Sequence, residues 1–570
     1  MQIKRPKRHF LPENFKIDTW ENVERYFIDL ENREIQSKED FKKWLKDQSE
    51  LEAVVSDDFA WRYIKMSIDT KDETLSDAFN FFVKEIQPKM EPFAFRLNKK
   101  LSESPYKKEF DEEAYKIYFR GIDTAIKLFC EENIPLNAAL AEKSQQHGAI
   151  SGAQSIEHDG KKVTMQKAAT FLKENDESLR KSTFEKMATR RAEDTEALDD
   201  LFTELVQIRH QVATNAGYEN YRDYMFDSLG RFDYTKEDCF EFHQSVKDEI
   251  VPLVREIAKK KAQKMGKEHL KPWDSQVDPE GREPLKPFKD GKEMLDKTIS
   301  LLNGIDPYFG DCLSTMDEMG HLDLESKDGK SPGGYNYPLF ETGSPFIFMN
   351  AVGSQRDLIT MVHEGGHAIH SFLSHDLELT AFKSFPSEVA ELASMSMELL
   401  TMHKWDAFYD TEEEVTRAKV EQLETILEIL PWVATIDEFQ HWIYENPNHS
   451  KEERKEKWLK LLDEYGTGIT DWTGYEEVKA YSWHRQLHLF EVPFYYIEYG
   501  MAQLGALGVW KNSKDDFEKT IQDYKNTLQL GYTKSIHGVY ETANIEFDFS
   551  KKTIRELAAF IQDELKAIEA

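Results

Sequence analysis

Residues 354–370 read Ser354-Gln355-Arg356-Asp357-Leu358-Ile359-Thr360-Met361-Val362-His363-Glu364-Gly365-Gly366-His367-Ala368-Ile369-His370. Ser354 and Asp357 have the Ser-x-x-Asp spacing of a helix-starting capping box, with Asp where Glu or Gln is the usual partner. A helix begun there carries Leu358, Met361 and Val362 up to His363. Positions four apart stack on one helical face, so His363 and His367 can reach one ion. Glu364 stands to the side, where a carboxylate can take a proton from water on the metal. Roughly 0.05 accidental matches to this His-Glu-x-x-His spacing are expected in a chain of 570 residues. Gly365 and Gly366 each cost a helix about 1 kcal/mol relative to Ala. Keeping them there implies close backbone approach to a neighbour.

Two histidines leave a catalytic zinc one protein ligand short, since such an ion takes three and keeps one position open. A third His ten residues after the first is excluded, because that position is Leu373. His370 falls one turn beyond His367, past the ion, and suits packing or support. Residues 387–398, Ser387-Glu388-Val389-Ala390-Glu391-Leu392-Ala393-Ser394-Met395-Ser396-Met397-Glu398, supply three glutamates. Glu388 and Glu391 diverge by about 60° around a helix, so only one can face the ion. Glu391 and Glu398, seven apart, share a face, which would let one bind metal while the other orients a histidine nitrogen. The plainer reading of Glu388 and Glu398 is a solvated helix face, and helix geometry alone does not choose among them.

Outward from this core the chain reads mostly helical. Leu198, Leu201, Phe202, Leu205, Ile208 and Val212 recur at helical spacing up to Asn215-Ala216-Gly217. Similar amphipathic stretches cover 76–100, 108–130, 240–265, 411–430 and 551–568. Asp159-Gly160 between β-prone runs predicts a hairpin over 155–165. Asp328-Gly329, Gly333-Gly334 and the apolar run 345–349 predict a small sheet just before the histidine helix. A Lys/Pro/Gly/Asp-rich loop over 264–292 reads as a lobe connection or an exposed insertion. The most apolar long segment, 487–510, contains Glu491 and Glu498, and is expected to be a buried helix near the site, not a membrane span.

The chain is long enough for several cores, and 40% of its residues are hydrophobic. A formal charge of −32 argues against nucleic acid and anionic membranes as partners. Acidic walls that attract cationic substrates are the sharper alternative to a merely self-repelling surface. Cys130, Cys239 and Cys312 form no CxxC pair and read as small buried residues in a reducing compartment. Residues 1–20 carry Lys and Arg without an apolar stretch, so no signal peptide is expected and the location is expected to be cytoplasmic.

The helix around His363-Glu364-Gly365-Gly366-His367-Ala368-Ile369-His370, followed by Ala390-Glu391-Leu392-Ala393-Ser394, resembles the thimet oligopeptidase and oligoendopeptidase F family, most of all its bacterial Pz-peptidase-like branch. The resemblance runs over the C-terminal two-thirds, from Ala216-Gly217-Tyr218 onward. It implies Glu391, not Glu388, as third ligand of one zinc ion per chain, and Glu364 as general base. The segment His488-Leu489-Phe490-Glu491-Val492-Pro493-Phe494-Tyr495-Tyr496-Ile497-Glu498-Tyr499 resembles the family's His-and-Tyr segment. It implies that His488, Tyr496 and Tyr499 stabilise the oxyanion. Val492 stands where thimet-type members carry another tyrosine, so the division of labour among the three stays open.

The resemblance further implies a mainly α fold in two lobes around a deep channel, with the run 345–349 as an edge strand beside it. Short unfolded oligopeptides would be the substrates. The expected division is an N-terminal helical lobe, 1–185, and a zinc peptidase region, 186–570. A dipeptidyl carboxypeptidase on the same metal site and an inert peptide-binding protein are the rival readings; an intact Glu364 argues against the latter. Oligomeric state is not legible.

Overall fold

The computed structural model describes residues 5–327, 329–331 and 333–569. Asp328 of the expected turn signal and residues 1–4 of the stretch weighed as a leader lie outside the described residues. The fold is mainly α. The periodic run from Leu198 forms the helix Thr195–Asn215, with Leu198, Leu201, Phe202, Leu205 and Val212 buried. It stops where Gly217 takes a left-handed φ of 84°. The expected hairpin forms as β1 (Ser155–His158) and β2 (Lys161–Thr164), antiparallel, with Asp159 and Gly160 both at positive φ. Both central residues at φ > 0 match the hairpin twist that Asp-Gly favours.

The second sheet holds β3 (Leu322–Glu325), β4 (Tyr335–Tyr337) and β5 (Phe346–Ala351) in the order β3-β5-β4. This corrects the expectation for the run 345–349. β5 is the central strand, paired parallel to β3 and antiparallel to β4. Its unbroken apolar run has a physical reason, since both faces are covered. Phe346 and Phe348 pack with Ala60 and Ile64 from the N-terminal helix Lys38–Ile68, while Ile347 and Met349 enter the main core. The short β4 is the sheet edge nearest the site.

The main core gathers residues from Leu201 to Ile561, and a separate aromatic-rich core joins Leu11–Phe119 with Leu379 and Phe382. A boundary at 185/186 falls inside the helix Glu177–Ala192. The loop over 264–292 is not an exposed insertion: Trp273 and Asp274 are buried, Arg180 and Lys267 pair with Asp274, and Leu270 bridges to Thr470. The segment 487–510 is two helices, Leu487–Glu491 and Ile497–Asp515. The break carries Pro493 and then Phe494 at φ 69°. Among the described residues no helix is long and apolar enough to cross a membrane.

Candidate metal centre and the residues around it

The histidine helix runs Gln355–Ser374 and starts on the capping box read from the sequence. The Ser354 hydroxyl accepts from the Asp357 N–H, and the Asp357 carboxylate accepts from the Ser354 N–H at 2.8 Å. The glutamate helix, Ser387–Thr401, packs across it. A Cβ added at Gly366 would sit 2.7 Å from Ser394 Cα and 2.9 Å from the Ala393 carbonyl oxygen. Gly366 therefore sets the helix separation. Gly365 does not: its nearest neighbour, Leu313 Cδ1, would stand 3.8 Å away.

This close crossing brings Glu391 Oε2 to 3.3 Å from His363 Nε2 and 3.7 Å from His367 Nε2. The two imidazole planes stand at 86° with centroids 4.9 Å apart. A tetrahedral ion with bonds of about 2.0–2.1 Å spaces its ligand atoms roughly 3.3 Å apart. His363, His367 and Glu391 offer two nitrogens and one oxygen, all within 4.8 Å of one another, so the donor set fits zinc. Glu398 Oε1 lies 2.6 Å from His363 Nδ1 and accepts its proton, which leaves Nε2 free to point at the same spot. Gln422 Nε2 donates to the other Glu398 oxygen at 2.8 Å.

Burial alone would raise the Glu391 carboxyl. The charges of His367 and His363, with a hydrogen bond from Tyr495, hold it down at about 2. Glu364 is buried with little compensation, and its carboxyl is pushed up to about 7. Its Oε2 has no hydrogen-bond partner among the described residues. A carboxyl poised near neutrality with a free oxygen has the properties of a general base.

Glu388, one turn before Glu391, points elsewhere. It is 1% exposed, not solvated, and Tyr234 donates to its Oε1 at 2.5 Å. Arg231 sits in the same pocket and pairs with Glu498 at 2.9 Å. Glu398 is likewise buried rather than on a solvated face. His370 is fully buried and stacks on Phe385 at 3.6 Å, a packing role. Cys239 and Cys312 are buried as expected, whereas Cys130 is half-buried.

The helix break at Val492–Tyr496 gathers an aromatic group beside Glu391. His488 Nε2 and the Tyr499 hydroxyl are 3.5 Å apart, and Gln486 Nε2 lies 2.7 Å from His488 Nδ1. Tyr496 packs edge-on against both His488 and Tyr499. Tyr495 was not singled out from the sequence, yet its hydroxyl donates to Glu391 Oε1 at 2.8 Å. Only the turn at Phe494, held by Arg231 on the Phe494 carbonyl and by Gln440 on its N–H, aims Tyr495 that way. The sole sequence signal for this was Pro493 interrupting an otherwise helical segment.

Comparison with known proteins gives the family. Residues 170–559 match the profile described as peptidase family M3, and residues 10–129 match that of the peptidase M3 N-terminal domain. An oligoendopeptidase F homolog of Borreliella burgdorferi is 22% identical over 373 residues, 64% of this chain. That match spans 61% of the Borreliella protein's length. The chromosomal oligoendopeptidase F of Lactococcus lactis subsp. cremoris is 35% identical over 77 residues, 14% of this chain and 13% of its own. The solved structure of Pz peptidase A with an inhibitor superposes with a TM-score of 0.92 at 25% identity, covering 100% of this chain and 98% of that one. With the family profile covering most of its length and the whole fold superposing, this chain belongs to peptidase family M3.

Proposed function

We propose that the protein is a zinc metalloendopeptidase that hydrolyses internal bonds of short, unfolded oligopeptides. The observation that carries this reading is the convergence of His363, His367 and Glu391 to within 4.8 Å, with the buried, unpartnered carboxyl of Glu364 next to them in sequence. His363 Nε2, His367 Nε2 and Glu391 Oε2 would hold one zinc ion per chain. Bound there, zinc supplies Lewis acidity towards the scissile carbonyl and the attacking water. Glu364 takes the water's proton and delivers it to the leaving amine, a task suited to a carboxyl held near 7. Tyr499 and His488 donate to the developing oxyanion. Tyr496 supports them through ring packing, and Tyr495 fixes the Glu391 carboxylate.

The three-residue edge β4 offers backbone groups next to the histidine helix. Asn336 on that strand donates to the Glu364 carbonyl at 3.3 Å. An extended peptide pairing there would gain affinity with little side-chain demand. We place the substrate in a channel between an N-terminal helical part and the catalytic part. The join is moved to the N-terminal side of the helix Glu177–Ala192, in keeping with the separate apolar core of residues 11–119. We assign the protein to the cytoplasm on its three unpaired cysteines.

The test is a digest of a peptide library, with and without a chelator, followed by mass spectrometry. Internal cleavage of peptides of roughly 5–20 residues, abolished by chelation, is the expected result. Release of C-terminal dipeptides alone would show a carboxypeptidase, and chelator-resistant cleavage would remove the metal from the reaction.

A further inference from the structure

A second cluster of ligand-type side chains lies away from the metal centre, and the proposed reaction does not use it. The helix Lys236–Glu249 carries Cys239 and His243, and the long helix Glu412–Glu445 carries Asp437 and His441. Each pair is spaced four apart, so each presents two ligand types on one face. The two helices pack against each other, and all four residues are at most 4% exposed. Cys239 Sγ, an Asp437 carboxylate oxygen and a His441 ring nitrogen lie within 4.8 Å of one another. His243 Nε2 is 2.8 Å and His441 Nε2 3.2 Å from Asp437 Oδ2.

The protein alone does not satisfy this cluster. Asp437 Oδ1 and His441 Nδ1 have no hydrogen-bond partner among the described residues, and His441 Nε2 has only its 3.2 Å ion-pair contact with Asp437 Oδ2. Phe240, Phe494 and Phe226 wall His441 with their rings at 4.9, 5.4 and 6.2 Å. Unpaired polar atoms in such a place are costly, and a buried carboxylate needs a compensating charge.

We infer that Cys239, His243, Asp437 and His441 form a structural site for a divalent cation of the zinc class. One thiolate, two imidazoles and one carboxylate make a closed tetrahedral set of the kind zinc takes in structural sites. The Cys239 thiol loses its proton on binding. Thiolate and carboxylate then balance the two positive charges, so the buried shell is neutral. A tetrahedral ion spaces such ligands by roughly 3.3–3.8 Å; Cys239, Asp437 and His441 already converge to within 4.8 Å of one another, and His243, now on Asp437 Oδ2 at 2.8 Å, turns towards the ion to complete the set. Such an ion would brace the base of the tyrosine segment. Gln440, beside Asp437 and His441 on the long helix, accepts from the Phe494 N–H at 2.6 Å, and His441 packs on the Phe494 ring.

The full chain produced in cobalt-supplemented medium tests the site. Only a sulfur ligand gives a thiolate-to-cobalt charge-transfer band in the near ultraviolet, and the proposed catalytic set of two histidines and a glutamate contains none. The expected wild-type result is that band with about two cobalt per chain. His363→Ala should keep the band while falling to about one cobalt, and Cys239→Ser should lose the band. No sulfur band in the wild-type chain overturns the second site, whatever the metal count, and leaves the catalytic reading untouched. A band that survives Cys239→Ser or vanishes in Cys130→Ser overturns it as well. Should Cys239→Ser fail to fold, the wild-type spectrum and the Cys130→Ser control decide. A wild-type band at about one cobalt per chain supports the second site and counts against the catalytic one.

Discussion

Glu391 and Glu388 sit one turn apart on the same helix, both almost wholly buried, and the molecule treats them in opposite ways. Glu391 faces His363, His367 and Tyr495, and those partners hold it ionised at about 2. Glu388 faces Tyr234 and an Arg231 that it must share with Glu498, and burial keeps its carboxyl above the usual range. Two carboxylates competing for one guanidinium cannot both be fully stabilised as anions. Burial does not decide what a carboxylate does. The partner set reached by a rotation of about 60° does.

The most damaging change expected on the Glu391 side is Glu364→Gln. It removes the proton acceptor and spares the ligands, so zinc content should stay near wild type while kcat falls about 10²–10⁴-fold. A variant within tenfold of wild type would assign the base elsewhere. Next comes the pair that sets the two glutamates directly against each other. Glu391→Gln should weaken zinc binding by more than the 10–100-fold typical of residues that only support a ligand. Glu388→Gln should leave zinc occupancy unchanged through a graded chelator series. The reverse outcome would place the third ligand in the Arg231 pocket.

Glu398→Gln tests how much the comparison owes to support from behind. It removes the negative charge from the acceptor of the 2.6 Å bond to His363 Nδ1, leaving an amide oxygen that accepts more weakly, and should cost up to about 10–100-fold in metal affinity or activity. Equilibrium dialysis against zinc measures this, and an unchanged affinity would mean that the bond does not orient His363. The smallest effect is expected for Tyr495→Phe, which removes one hydrogen bond to Glu391. A loss of about 1 kcal/mol corresponds to roughly fivefold weaker zinc binding. A loss as large as that of Glu391→Gln would promote Tyr495 from fixing the carboxylate to a direct part in the site.

The break between Leu487–Glu491 and Ile497–Asp515 shows where sequence reading ran short. Hydrophobic periodicity carried through residues 487–510 as one helix, because Phe490, Phe494, Ile497 and Met501 are all buried core residues. Pro493 and the left-handed Phe494 turn the chain, and that turn alone lets Tyr495 reach Glu391. The run 345–349 was misread as an edge for a related reason. An uninterrupted apolar strand is covered on both faces, and the cover over Phe346 and Phe348 comes from Ala60 and Ile64, nearly three hundred residues earlier. Gly365 and Gly366 read alike as close-approach glycines, and only Gly366 is one, since the two differ in what the crossing helix presents to each.

The sequence by itself determined which ligand-type side chains share a helical face. A capping box, two histidines four apart, a glutamate between them and a second helix with glutamates seven apart leave few uses other than one metal ion and a base, because helical spacing is set locally by backbone hydrogen bonds. The tertiary structure decided which glutamate faces the histidines, which tyrosine steadies it and what occupies the far side of the glutamate helix. Those choices depend on how two helices cross at Gly366 and how the chain turns at Phe494. Both are set by packing between segments far apart in sequence, and no local pattern encodes them.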